Sequence, residues 1–226
     1  MKDVQRALQA AGFDPGPVDG AWGPRTAVAL DAALAAARAA PAVAAGSAVV
    51  LQTAMRPGLD LLPAVMDTQP ARVLMLAISG HEADFHHRWQ VFDRTRPGAM
   101  GAARGLWQFE RGGGVRGVLT HERSKAHAVT ACQMRGVAAT VDAVYAALHQ
   151  DDVLAAAFAR LLLWTSPRSL PAVGDVDGAW QAYLREWRPG AYTNGTTAQR
   201  EALRTKWGGY YSEAVRVVRM IETGKA

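Results

Sequence analysis

The chain has 226 residues, half of them hydrophobic, with one cysteine and a formal net charge of +5. That length suits one medium domain and a small one, the single cysteine excludes an internal disulfide framework, and no apolar run reaches the roughly 20 residues that span a bilayer. The positive balance favours a polyanion, but no Lys/Arg tract of the kind that grips phosphate backbones is present, so nucleic acid is not an expected partner.

In chain order, the first predicted element is a helix in which Val4, Leu8 and Ala11 keep helical spacing and Gly12 supplies the stop. Asp19-Gly20 marks a tight turn and Gly23-Pro24 a second, with Pro24 fixing φ at the start of a helix from Thr26 to Arg38. Residues 41–58 are Ala-rich, broken by Pro41, Gly46, Pro57 and Gly58, and read as a linker between a domain over 1–40 and one over 59–226. Leu61, Leu62, Val65 and Met66 mark an amphipathic helix, and Val73, Leu74, Ala77 and Ile78 a second that ends at Glu82. The stretch from Arg94 to Gly117 is rich in Gly and Arg and has little periodicity. Helices are then predicted over 125–149, 151–165, 175–187 and 198–223, so the fold class is mainly α. Cys132 reads as a small buried residue within the first of these.

Glu82 is the leading candidate for chemistry. Helical spacing places it on the face of Leu74 and Ile78. A carboxyl at the edge of an apolar face loses hydration, so its pKa rises and it stays protonated near neutrality. That is the state a general acid for glycosidic cleavage needs. Asp84, two residues on, would point to another face of the helix. His86 and His87 are adjacent, about 100° apart on a helix, and cannot share a metal as an i, i+4 pair could; no metal and no cofactor are expected.

The N-terminal residues resemble the three-helix type of peptidoglycan-binding domain, whose signature runs from a Val-Gln-x-x-Leu helix through Val-Asp-Gly to Gly-Pro-x-Thr. Here those elements are Val4-Gln5-x-x-Leu8, Val18-Asp19-Gly20 and Gly23-Pro24-Arg25-Thr26, with Trp22 inside the loop. The resemblance implies wall binding through Asp19, Gly20, Trp22, Gly23, Arg25 and Thr26.

The larger part is similar to the lysozyme-like superfamily of lytic transglycosylases, goose-type lysozymes and phage endolysins. The similarity rests on a helix-terminal Glu82 followed by Gly105-Leu106-Trp107-Gln108-Phe109-Glu110, and later on Trp187-Arg188-Pro189-Gly190. It implies that Glu82 is the acid and that Arg104, Gly105, Leu106, Trp107, Gln108, Glu110 and His121 line a sugar cleft, where Trp107 and Trp89 could stack on sugar faces. Two features depart from the transglycosylase pattern: Ala83 stands where Ser follows the Glu, and the helix Ala155-Ala156-Ala157-Phe158-Ala159-Arg160 lacks an Ala-Tyr-Asn step. Asp93 is a candidate second carboxylate, although its spacing and that of Thr95 differ from the phage lysozymes that open on His-Glu.

The expectation is therefore a monomeric, modular endolysin that cleaves the β-1,4 bond between N-acetylmuramic acid and N-acetylglucosamine. The start of the chain reads as lacking a secretory leader, so such a protein would be made in a host cytoplasm and act on the periplasmic wall after release. The alternative is a non-catalytic wall-binding or phage structural protein with a degenerate lysozyme fold.

Overall fold

The computed structural model describes residues 2–10, 14–39, 42–91 and 100–224. The chain divides into two compact units, Met1–Ala45 and Gly46–Ala226.

The first unit contains α1 (Lys2–Ala10) and α2 (Pro24–Ala39). Its interior is organised by a polar residue. Gln5 is 1% exposed and Leu8 5%, whereas Val4 faces solvent. The Gln5 amide Nε2 shares its two hydrogens among Pro17 O at 3.0 Å, Ala21 O at 3.0 Å and Asp19 Oδ1 at 3.2 Å. Its Oε1 accepts from the Gly20 N–H at 2.9 Å. A buried amide is tolerated because it is satisfied, and these bonds fasten the loop to α1. Asp19 Oδ1 also accepts from Ala21 N at 2.8 Å, which, with the Gln5 bond, holds its carboxyl below the ordinary value. Gly20 takes φ +88°, open to glycine at little cost. Thr26 is buried and donates through Oγ1 to Pro15 O at 3.0 Å, while Arg25 pairs with Asp14.

A further helix, α3, spans Ala42–Val49. A π-helical stretch, Val50–Met55, and α4 (Arg56–Asp60) follow it. Here the structure corrects the expected linker over 41–58, because Leu51, Ala54, Met55 and Leu59 are core residues of the second unit. Pro57 does not break the chain. It sits in the first turn of α4, directly after the π-helical stretch, where the Arg56 N–H bonds Leu51 O. The amphipathic helix expected at 61–66 is reduced to a 3₁₀ turn, Ala64–Met66, with Met66 buried and Val65 exposed.

Helix α5 (Gln69–Ala83) starts at Thr68, whose Oγ1 accepts from Ala71 N at 3.3 Å. From Val73 to His81 every residue of α5 is buried, so it is a central helix rather than one with a single apolar face. The stretch after it holds an antiparallel sheet, β1 (Trp89–Val91), β2 (Met100–Arg104) and β3 (Phe109–Glu110), in that order, with Trp89 opposite Arg104 and Ala103 opposite Glu110. Strands of two to five residues are too short to display alternation, so no period-2 pattern marks them in the sequence. A π-helical turn, Arg111–Val115, leads into α6 (Arg116–Thr120).

The helix expected over 125–149 is two helices, α7 (Lys125–Met134) and α8 (Val141–Ala147). Thr140 caps the second through Ala143 N at 3.3 Å. Then come α9 (Asp152–Thr165), α10 (Val176–Trp187), α11 (Gly190–Thr193) and α12 (Thr197–Glu222), the last opened by a capping box of Thr196 and Gln199. Helix α12 packs along α5. Arg72 joins their ends, bonding both oxygens of Asp67 at 2.6 Å and Glu222 at 2.8 Å. The fold is mainly α, and no described helix is long and apolar enough to cross a membrane. Val217 and Val218 of α12 face the core. Cys132 is fully buried, which pushes its thiol up to about 11.

Replacing Gln5 with Ala orphans buried groups of the loop and is expected to destabilise it by about 1–3 kcal/mol. Amide exchange on the full-length protein checks this: protection over residues 14–26 should fall, with the second unit as internal reference, and unchanged protection there would contradict the role given to Gln5.

Candidate functional site

A cleft of about 670 Å³ opens in the second unit, lined by the end of α5, the sheet, the turn 111–117 and the segment from α10 to α11. Glu82, in the last turn of α5, reaches it. One of its oxygens, Oε1, accepts a hydrogen bond from the Tyr183 hydroxyl at 2.5 Å. Burial pushes the Glu82 carboxyl up to about 7; the Tyr183 bond and Lys206 oppose that rise, and Glu110 adds to it. The phenol of Tyr183 is itself driven far above its ordinary value by burial and by Glu82, so it stays protonated and able to donate.

Tyr183 is held by rings. Trp207 stacks on it with centroids 5.1 Å apart, and His81 meets it edge-on at 5.0 Å. His81 also packs edge-on against Trp180 and Trp207, both at 5.7 Å. Burial pushes its imidazole down to about 3, so it is neutral. The helix therefore delivers a neutral His inward and an acid outward from adjacent positions.

Asp84 is a correction to the helical-wheel expectation. The helix has ended by that point: Asp84 takes φ 47°, its N–H bonds Gly80 O at 2.9 Å, and the side chain lines the same cleft as Glu82. It accepts from the Tyr210 hydroxyl and lies 3.4 Å from Lys206 Nζ. Burial raises its pKa, but these partners outweigh that and hold it below the ordinary carboxylate value. Lys206 also donates to His81 O at 2.8 Å.

Of the other residues singled out in the sequence, Gln108, Glu110 and Trp89 line the cleft. Gln108 takes φ 49°, and its amide Nε2 donates to Gly105 O at 3.0 Å and His87 O at 3.2 Å. Five residues expected at the sugar do something else. Trp107 is fully buried and donates from its indole to Met75 O at 2.9 Å, and Leu106 is buried beside it. Gly105 takes φ +74°, and a Cβ there would lie 2.7 Å from Leu148 O, so its small size serves packing of the chain on itself. Arg104 turns back on its own strand, bonding Gly101 O and Ala103 O and lying 5.1 Å from the Tyr145 ring centre. His121 is exposed at the end of α6, outside the cleft lining, with Nδ1 accepting from Arg123 N at 3.1 Å. Asp93 and Thr95 lie outside the described residues.

Tyr183, Trp187 and Lys206 reach the site from helices distant in sequence. Trp187 is half-buried, lines the cleft and donates its indole N–H to Trp107 O at 2.9 Å, so the buried tryptophan positions the cleft-lining one. In the first unit, Asp19, Gly20 and Thr26 build the loop, Gly23 O accepts from Ala27 N at 3.1 Å, and Trp22 is half exposed. Among the described residues no group of His, Cys, Asp and Glu is arranged to hold a metal.

The chain matches no family model, no curated protein and no solved structure.

A carboxyl held near 7 in the folded state favours folding when protonated, and that contribution is lost as pH rises from about 4.5 to about 7. Glu82→Gln removes the titration. The variant should match the parent at pH 4 and exceed it in stability above pH 7, by up to roughly 3 kcal/mol. Urea denaturation of both proteins across this range measures the difference, and parallel pH profiles would contradict the raised affinity.

Proposed function

We propose that this chain is a peptidoglycan glycosidase of the modular endolysin type, with Glu82 as its general acid. The observation that carries the reading is a carboxyl protonated near neutrality, bonded to Tyr183, on an open cleft with tryptophans among its lining residues. The sequence resemblance supplies the substrate, the β-1,4 bond between N-acetylmuramic acid and N-acetylglucosamine.

In this reading Glu82 gives its proton to the glycosidic oxygen as the bond to C1 breaks. The Tyr183 hydroxyl remains bonded to the carboxylate that forms, and a donor bond to an anion is stronger than one to the neutral acid. Gln108 has both amide hydrogens committed to backbone carbonyls, which leaves its oxygen to accept from an acetamido N–H. Trp89 and Trp187 offer ring faces for sugars, and Arg185, Arg188 and Lys206 place positive charge where lactyl or peptide carboxylates would lie. The first unit, through a loop that carries Trp22, holds the enzyme on an insoluble polymer, where even weak tethering raises local concentration. A phage would use such a monomer by making it in the host cytoplasm and releasing it onto the wall at lysis.

Digestion of purified peptidoglycan tests this directly. The parent protein should release soluble muropeptides, and Glu82→Gln should lower the rate by about 10²–10⁴-fold while binding the wall as before. A parent that sediments with the wall yet releases nothing would favour a non-catalytic wall-binding protein. Tyr183→Phe removes a bond that lowers the Glu82 pKa, so the alkaline limb of the pH–rate profile should move to higher pH, and an unmoved limb would remove Tyr183 from this role.

A further inference from the structure

General-acid cleavage leaves C1 electron-poor, and the product depends on what captures it. Capture by the sugar's own 6-hydroxyl needs no second protein carboxylate, whereas capture by water normally needs a positioned base. The cleft has four carboxylates among its described lining residues: Glu82, Asp84, Glu110 and Glu186. Glu82 is the acid. Asp84 is committed to Tyr210 and Lys206. Glu186 is mostly buried and held by Arg185 at 2.7 Å. Glu110 differs from all three. It stands at the end of β3, is solvent-exposed, and makes no hydrogen bond or ion pair among the described residues. Its lone pairs are therefore available to a water in the cleft. Lys206, Arg185 and Arg188 are the cationic groups among the described lining residues, with His87 beside them.

Resting on the glycosidase reading, we propose that Glu110 is the second catalytic carboxylate and that the enzyme hydrolyses the glycan rather than forming 1,6-anhydro ends. The Glu82 proton moves to the leaving oxygen, which keeps the electron pair of the broken C1–O bond. Water oxygen bonds to C1 and its proton passes to Glu110. Proton exchange with solvent then restores Glu82 as acid and Glu110 as base, and the net change is addition of one water across the bond. The two groups belong together electrostatically as well: Glu110 is among the influences that raise the proton affinity of Glu82, so a charged partner helps keep the acid protonated.

Mass spectrometry of muropeptides released by the parent, Glu110→Gln, Glu110→Ala, Asp93→Asn and Glu82→Gln proteins tests the assignment. The parent should yield reducing muramic acid ends. Glu110→Gln should be folded by circular dichroism and slower by about 10²–10³-fold. Azide added to Glu110→Ala should restore cleavage and leave a glycosyl azide, which a merely structural role would not produce. Three results would overturn the proposal: 1,6-anhydro ends from the parent, Glu110→Gln retaining the parent rate within about threefold, or loss of hydrolysis in Asp93→Asn alone. If Glu82→Gln is dead while Glu110→Gln is active, the glycosidase reading stands and only this assignment falls. No fragments from the parent removes both.

Discussion

A helix packed on all sides has no freedom to swing, so the place where α5 stops decides what its last residues can reach. From Val73 to His81 the helix is enclosed by core, and α12 and α10 close on its C-terminal end. Unwinding begins at Asp84, where the backbone enters the left-handed region. Within these few residues His81 goes inward among aromatic rings, while Glu82 and Asp84 go to the cleft. Glu82 is held in place because the helix that carries it is enclosed.

Its electrostatics follow from a contest in which burial wins. The hydroxyl of Tyr183 and the ammonium of Lys206 both favour the charged form of Glu82, yet the loss of hydration outweighs them and Glu110 adds repulsion. Asp84 meets the opposite result a few ångströms of chain away, because Tyr210 and Lys206 bond it directly. Two carboxylates two residues apart thus have their proton affinities pushed in opposite directions. Keeping Glu82 in this setting costs folding energy at alkaline pH, which is the usual tension between a poised site and a stable one.

The sequence showed the parts of this design that are local and hid those that are not. Glu82 could be found because helical spacing ties it to Leu74 and Ile78, and Gln108 because it follows a short turn motif. Gly105, Trp107 and Arg104 belong to the same motif, but a string of letters does not say whether a glycine admits a ligand or the carbonyl of Leu148. Nor does it say whether an indole N–H faces a sugar or Met75 O. Tyr183 lies about a hundred residues from Glu82, and only the packing of α10 beside α5 brings them together. Pro57 and Gly58 carry turn signals, yet helical backbone runs through both, and a Cβ at Gly58 would lie 2.6 Å from Val153 O. Gln5 is one letter of the Val-Gln-x-x-Leu motif, whereas its position makes it the fastening of the first unit's loop.

Cys132 has a practical consequence. It is wholly enclosed, and burial holds its thiol protonated well above neutrality, so it is a poor nucleophile toward alkylating reagents in the folded state. The folded chain is therefore expected to react slowly with maleimides. A cysteine placed at an exposed position, such as Val28 in the first unit or Val65 in the second, becomes the one thiol that reacts. Fluorophores or spin labels can then be attached at chosen points without first deleting the natural residue from the core.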